Sequence, residues 1–397
     1  MVTTDFLVIG GGIVGLSIAR VIQEKWSDAT VIVIEKEQTC GQHASGRNSG
    51  VIHAGFYYSP DSLKAQLTCK GNILLTAYCK ERGVPLNPCG KLVVTKDEDD
   101  VPALDELFRR GQANGVPLQE VTEEDIKDIE PRARTSGRAL FSPTTSSLDP
   151  SVLLQTLVHD VKHAGVEIYC GTQYIRKQGN KIITQSETFV PQFVVNAAGL
   201  YADRIAHDFG FGESYRIVPF KGLYLVSNVP SDVFRTHIYP VPNLLNPFLG
   251  VHITLTVHGK VKLGPTAIPA FWREQYQGVN NFQLNEFLEI GAAHGRLMFT
   301  SARFRRLVVQ ELLKYNRRYL VSQAKHLATG IHEKNFLHWG KPGIRAQLVH
   351  IRDKKFVMDF VLEGDDRSLH ILNAVSPGLT CAFSFAQYVC DEIHKRV

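Results

Sequence analysis

No apolar stretch in this sequence approaches the ~20 residues that a membrane-crossing helix needs. The longest, Phe6 to Ala19, is broken by Gly10, Gly11, Gly12 and Gly15. It follows Asp5 rather than Lys or Arg, so it does not read as a secretory signal. Cysteines number seven (40, 69, 79, 89, 170, 381 and 390), and no two form a CxxC pair. That spacing suggests neither a metal site nor a dithiol redox motif. An odd set of unpaired thiols fits a reducing, cytoplasmic compartment. Internal repeats and low-complexity linkers are also missing.

What is present is ordinary globular composition: 397 residues, 44% hydrophobic and 21% charged, enough for two cores. The net charge of +5 is uneven. Between Arg296 and Lys325 stand eight basic residues against one acid, Glu311. No nucleic-acid fold accompanies this charge, so a nucleic-acid partner is not expected. Apolar residues interleave with the cations (Leu297, Phe299, Phe304, Leu307, Val308, Leu312, Tyr315, Leu320). A basic amphipathic helix would lie well on the inner face of an anionic membrane, and a solvated helical face is the plainer alternative.

The first residues read as strand, glycine turn and helix: Phe6 to Ile9, then Val14 to Glu24, then a second strand at Val31 to Ile34. Further αβ units follow at 149–170 and 193–199. The pattern then changes to strands at Leu223–Ser227, Phe248–Val257 and Lys260–Gly264, the last two joined by a His258-Gly259 turn. Residues 282–328 read as helical, and a last helix spans about Leu379 to Lys395.

Gly10, Gly12 and Gly15 form G-x-G-x-x-G between a strand and a helix, with Glu35 20 residues beyond Gly15 at the end of the next strand. Glycines there let the backbone turn tightly against a pyrophosphate, whose charge the helix N-terminus receives. Glu35 would accept hydrogen bonds from ribose hydroxyls and repel a 2′-phosphate, which argues against NADP. FAD and NAD both fit this fingerprint. The long loop of small and polar residues from Cys40 to Tyr58 favours the larger ligand, FAD.

GRNSGVIHAGFYYSPDSLKA at 46–65 closely resembles the L-2-hydroxyglutarate dehydrogenases, within the D-amino acid oxidase-like FAD superfamily. PFLGVH at 247–252, GIRAQ at 343–347 and NAVSPGLT at 373–380 extend the resemblance over nearly the whole chain. It implies flavin contacts at Gly10, Gly12, Gly15, Glu35, Lys36, Ser45, Arg47, Asn48, Ser49 and Gly50. It implies a second cofactor turn at Asn196-Ala197-Ala198-Gly199 and a third at Ser376, Pro377, Gly378, Leu379 and Thr380. A helix starting near Leu379 would aim its positive end at the flavin edge that gains negative charge on reduction. Two positions depart from the expected pattern: Leu255 and His258 stand where an Arg and an Asp–Gly turn are expected. If that Arg holds a second carboxylate, a monocarboxylate substrate gains ground. Lys341-Pro342 also precedes GIRAQ where smaller or more apolar residues are expected.

The resemblance makes Arg345 the clamp on a substrate carboxylate, for which a planar guanidinium is suited; a structural ion pair is the alternative. It places His53 beside the flavin as general base, as a hydrogen-bonding contact, or as a covalent attachment point. His252 shares one strand face with Thr254 and Thr256, which would line a substrate pocket or simply face solvent. Lys221, Tyr224 and Tyr239 are further candidate substrate contacts, with Tyr57, Tyr58 and Arg303 behind them.

The fold class expected is α/β. A Rossmann-type FAD domain is built from 1–85, 140–215 and 340–397. A discontinuous substrate domain, 86–139 and 216–339, is built on a mixed antiparallel sheet plus helices. The activity implied is FAD-dependent oxidation of an L-2-hydroxy acid, foremost L-2-hydroxyglutarate, by hydride transfer to flavin N5, with electrons passing to a membrane quinone or oxygen. An amino acid or amine oxidase of the same superfamily is the nearest rival, and a non-catalytic flavin-binding scaffold a more distant one.

Overall fold

The computed structural model describes residues 1–230, 233–244 and 250–397, with Arg303 described in its backbone alone. The Arg303 side chain, most of the PFLGVH match and the start of the strand expected at Phe248 therefore lie outside the described residues. The chain divides into two compact units, Met1–Asn48 with Pro150–Pro219 and Arg345–Val397, and Ser49–Asp149 with Phe220–Ile344.

The first unit is a doubly wound sheet. Val2–Ile9 pairs in parallel with Val31–Ile34 on one side and Thr188–Asn196 on the other. Glu167–Tyr169 and Ser368–Ile371 extend the parallel order outward. These central strands are runs of Val, Ile, Leu and Phe buried on both faces, as a parallel sheet covered by helices requires. The Ile13–Lys25 helix packs against Pro150–His163 and against the C-terminal helix Gly378–His394.

The second unit is built on an eight-stranded mixed sheet. Lys91–Val94 and His237–Pro240 run parallel at its centre, and every other neighbouring pair is antiparallel. One face is apolar: Leu92, Val94, Ile238, Ile253, Leu255 and Leu263 share a core with Leu320, Val321 and Ala324 of the Arg317–Lys325 helix. Strand alternation sends the residues between them to the opposite face, where the chemistry described below collects.

Two expectations need correction. Residues 49–85, 140–149 and 340–344, expected in the Rossmann domain, belong to the second unit. The two-residue strand Val51–Ile52 pairs with Ser146–Leu148, which also pairs with Leu86–Asn87, and the Leu63–Glu81 helix packs on this small sheet. The basic segment is not one amphipathic helix but parts of three, Leu284–Thr300, Ala302–Leu313 and Arg317–Lys325. Ser301 and Asn316 break it, because each side chain caps the next helix by accepting backbone N–H groups. The breaks split the apolar residues: Leu297, Phe304, Leu307, Val308 and Leu320 turn inward, while Phe299 stays 88% exposed. No helix among the described residues is long and apolar enough to cross a membrane.

Three histidines are buried as neutral rings. His370 takes a hydrogen bond from Asn196 Nδ2 at 3.1 Å, and burial pushes it down to about 4. Burial pushes His294, packed among Phe220, Phe271 and Phe304, to about 4 and His237 to about 3. All three values lie below the ~6.5 of an unfolded histidine, so the unfolded chain binds more protons in between. Stability is therefore full above that value and declines as pH falls toward 4, by roughly 2 kcal/mol per histidine at pH 5. Urea unfolding at pH 7 and pH 5 should show a clear drop in midpoint; equal midpoints would contradict the buried neutral rings.

Candidate functional site

In the first unit the glycine turn is built without spare room. Gly10 has φ +117°, and a Cβ there would meet the Ala197 carbonyl oxygen at 2.6 Å. A Cβ at Gly15 would lie 2.0 Å from the Gly10 oxygen, so glycine is what lets the helix approach the strand end. Glu35 is buried and its two oxygens accept from the Gly11 N–H at 2.8 Å and the Glu37 N–H at 2.9 Å. That fixes the carboxylate in plane and leaves it lone pairs for a ribose. Ser45 Oγ accepts from the Ile13 N–H at 3.0 Å beside Gly12, tying the following loop to the helix start.

Other expected cofactor residues brace the fold around that turn. Lys36 pairs with Glu37 and lies over the Tyr201 ring. Arg47 Nε donates to the Gln42 carbonyl at 2.7 Å, and Asn48 Nδ2 donates to the carbonyls of Ala44 and Ser45. The Asn196-Ala197-Ala198-Gly199 turn is held by Asn196, whose Oδ1 accepts from the Ala198 N–H and whose Nδ2 donates to the Ala202 carbonyl. Gly199 takes φ +55°. Pro377 caps the last helix, which begins at Gly378, where a Cβ would meet nothing; Leu379 and the buried Thr380 follow. Arg345 stands on the Gly343–His350 strand, partly exposed.

Ser49 and Gly50 open the second unit. Ser49 Oγ accepts from the Val51 N–H, and the Gly50 carbonyl from the Leu148 N–H. His53 follows at once, partly exposed, its carbonyl held by Asn72 Nδ2 at 3.1 Å. Burial first, then Lys91 and His237, hold its ring far below the ordinary range, at about 3.

The polar face of the large sheet gathers Tyr239 and His252, whereas Lys221 stands on a separate four-stranded sheet. Parallel register puts His237 beside Lys91 and Tyr239 beside Val93. Antiparallel pairing at Ile238 and Ile253 brings Tyr239 opposite His252, and their rings stack at 3.8 Å. His252 and Thr254 are buried, so this face is not the solvated one allowed as an alternative. His252 Nδ1 lies 3.2 Å from the Gly250 carbonyl, to which it can only donate, leaving Nε2 as the acceptor nitrogen. Lys262, which pairs with Thr254, lies 6.0 Å from the centre of the Tyr224 ring. Lys221 is buried on the Tyr215–Gly222 strand, and burial lowers its amine.

The two departures fall elsewhere. Leu255 points to the apolar face, within the core. His258 sits in the hairpin turn and pairs with Asp149 at 2.6 Å. Sequence reasoning missed Lys91, His237 and Cys89, which lie close together. One signal was available: in the strand Lys-Leu-Val-Val, alternation puts Lys91 on the side of Val93, an unusual place for a lysine.

A family model described as FAD dependent oxidoreductase (DAO) matches residues 5–392. The chain belongs to this family. Its relatives include human L-2-hydroxyglutarate dehydrogenase, mitochondrial, 35% identical over 99% of this chain and 89% of that protein. L-2-hydroxyglutarate dehydrogenase of Indibacter alkaliphilus is 31% identical over 98% of both chains. Among solved structures, L-alpha-glycerophosphate oxidase from Mycoplasma pneumoniae with FAD bound superposes with TM-score 0.78 at 23% identity, covering 99% of this chain and 95% of that one. Glycine oxidase from Geobacillus kaustophilus gives 0.74 at 20% identity, covering 100% and 96%. These two establish the fold of an FAD-dependent oxidoreductase.

FAD fits the residues present: a glycine turn that a side chain would fill, and a fixed buried carboxylate at ribose distance in sequence. Replacing Glu35→Gln removes the charge and one of the two oxygens that hold Gly11 and Glu37. FAD affinity should fall roughly 10- to 100-fold, as loss of charge-assisted hydrogen bonds does. Flavin fluorescence on dilution measures this, and unchanged retention would remove Glu35 from the cofactor site.

Proposed function

We propose that this FAD-dependent oxidoreductase converts L-2-hydroxyglutarate to 2-oxoglutarate. The observation that carries the reading is near-full-length similarity to relatives bearing that name. Bound FAD would supply the hydride acceptor. The glycine turn, Glu35 and Ser45 would hold it, with the 196–199 and 376–380 turns at its other edges. Arg345 pairs the substrate carboxylate bidentately and so orients C2–H, the larger part of what hydride transfer needs. His252 takes the hydroxyl proton on Nε2, its ring plane fixed by the Tyr239 stack and its tautomer by the Gly250 carbonyl. His53 stays neutral and serves as a hydrogen-bonding contact. Lys221 and Tyr224 contribute to holding the remainder of the substrate.

Anaerobic addition of L-2-hydroxyglutarate should bleach the flavin band near ~450 nm. A protein that holds FAD and does not bleach would retire this substrate. Arg345→Ala should raise KM roughly 10- to 100-fold, since a bidentate charged pair is lost. His252→Asn should slow flavin reduction about 10²- to 10⁴-fold with little change in KM, the usual share of a general base.

The electron acceptor proposed is a quinone or oxygen, reached with the basic segment lying on an anionic membrane surface. Phe299, Leu312, Leu313 and Tyr315 are exposed, and Arg305 and Arg306 stand with Leu312 and Leu313 on the Ala302–Leu313 helix. Sedimentation with anionic vesicles, weakened by salt and by Phe299→Ser, is the expected result; equal binding to neutral vesicles would contradict it.

A further inference from the structure

We propose that Lys262 receives the second carboxylate of the substrate and so selects a dicarboxylic 2-hydroxy acid over a monocarboxylic one. The inference deepens the functional reading above and rests on its placing of the substrate hydroxyl at His252.

Strand register sets the two side chains on one face. His252 pairs with Gly264 and Thr254 with Lys262, while Ile253, Leu255, Val261 and Leu263 turn to the apolar core. Lys262 is therefore the diagonal neighbour of His252 on the polar side of the sheet, and residues so related lie roughly 7–8 Å apart. The ring of Tyr224 stands beside both. Gly264, opposite His252, has no side chain, and a Cβ there would come within 3.0 Å of Tyr224 Cδ1. The Lys262 Nζ lies 6.0 Å from the centre of the same ring. His252, Tyr224 and Lys262 thus border one patch, with Tyr239 stacked on the His252 ring at 3.8 Å.

Lys262 is poorly provided for as an ion. Among the described residues neither a hydrogen bond nor an ion pair engages its Nζ. Burial lowers the amine against the pull of Asp149, and Asp149 is already paired with His258 at 2.6 Å. Packing on Tyr224 needs only the stem of the side chain, so the ammonium is the part to account for. Unlike Lys91, Lys262 is only partly buried, which leaves it open to an arriving anion. A carboxylate there replaces hydration that the fold has removed.

The reach suits a five-carbon diacid. In 2-hydroxyglutarate the second carboxyl carbon lies three carbon–carbon bonds from C2, roughly 4 Å along an extended chain. A hydrogen bond of ~2.8 Å at each end, one to His252 and one to Lys262, brings the span to the order of the diagonal separation. The absence of a cation at position 255 fits this arrangement. That position packs in the apolar core and cannot face His252, whereas Lys262 offers a cation from the neighbouring strand on the face where His252 stands.

Calorimetry on the FAD-loaded protein tests this without turnover, using glutarate and pentanoate as probes of equal chain length. The wild type should bind glutarate at least roughly tenfold more tightly than pentanoate. Lys262→Met should weaken glutarate roughly 10- to 100-fold and leave pentanoate unchanged, and Lys262→Arg should restore most of the loss. Equal binding of the two acids by the wild type overturns the proposal. So does a flavin-loaded Lys262→Met protein that binds glutarate undiminished, or that loses both acids alike. If Lys262→Met fails to hold FAD, Lys262→Gln gives the same comparison with a side chain that stays polar. In turnover, the KM for L-2-hydroxyglutarate should rise by the same factor with kcat nearly unchanged. Failure of L-2-hydroxyglutarate to bleach the flavin would sink the substrate reading alone, and the glutarate titration would still decide for or against Lys262.

Discussion

Tyr239 meets His252 because Ile238 pairs with Ile253, and that register decides which side chains of the second unit share a face. The same strand sets His237 beside Lys91 through its parallel neighbour. A slip of one residue would carry His237, Tyr239 and Thr254 or Lys91 into the layer of Leu320, Val321 and Ala324, and drive Ile238 or Leu92 out of it. The apolar layer thus specifies the polar one. Side chains that touch neither cofactor nor substrate hold the candidate base to its stacking distance, because burying them in any other register costs several kcal/mol.

The first unit was largely legible because dinucleotide recognition is local. Gly10, Gly12 and Gly15 act through the backbone of consecutive residues, and Glu35 closes back on Gly11 from the very next strand. The His-x-Thr alternation of the His252–Leu255 strand was legible for a similar reason: its period lies within one element. The stacking of Tyr239 on His252 was not, since it depends on the pairing of two strands, and Lys91 was not, since a lysine at a strand start ordinarily faces water. Residues 49–85 were placed with the wrong unit because the strand that ties them down has two residues, too few to show any period. In the basic segment the apolar spacing points to one helix, while two cap residues, Ser301 and Asn316, divide it.

The cofactor loop shows how a resemblance and a geometry divide the work. Lys36, Arg47 and Asn48 carry family motif positions, and each also holds a neighbouring protein group. Arg47 and Asn48 also tie the 41–48 loop together, and Ser45 and Glu35 anchor it to the Ile13 and Gly11 N–H groups. Preorganisation of this kind lowers the ordering cost of binding a long flexible ligand.

Leu255 bears on the substrate differently from what its position suggested. Its side chain is part of the apolar core, so replacing an Arg there changes packing on the face opposite His252. The case for a monocarboxylate substrate loses its structural basis. Two amines of the second unit are disfavoured as ions. Burial lowers Lys221, and burial lowers Lys262 despite the opposing pull of Asp149. An amine in that condition gains more from an incoming carboxylate than an exposed one does, because the anion returns the stabilisation that water no longer supplies. A carboxylate reaching either amine would restore part of the stabilisation that burial removes.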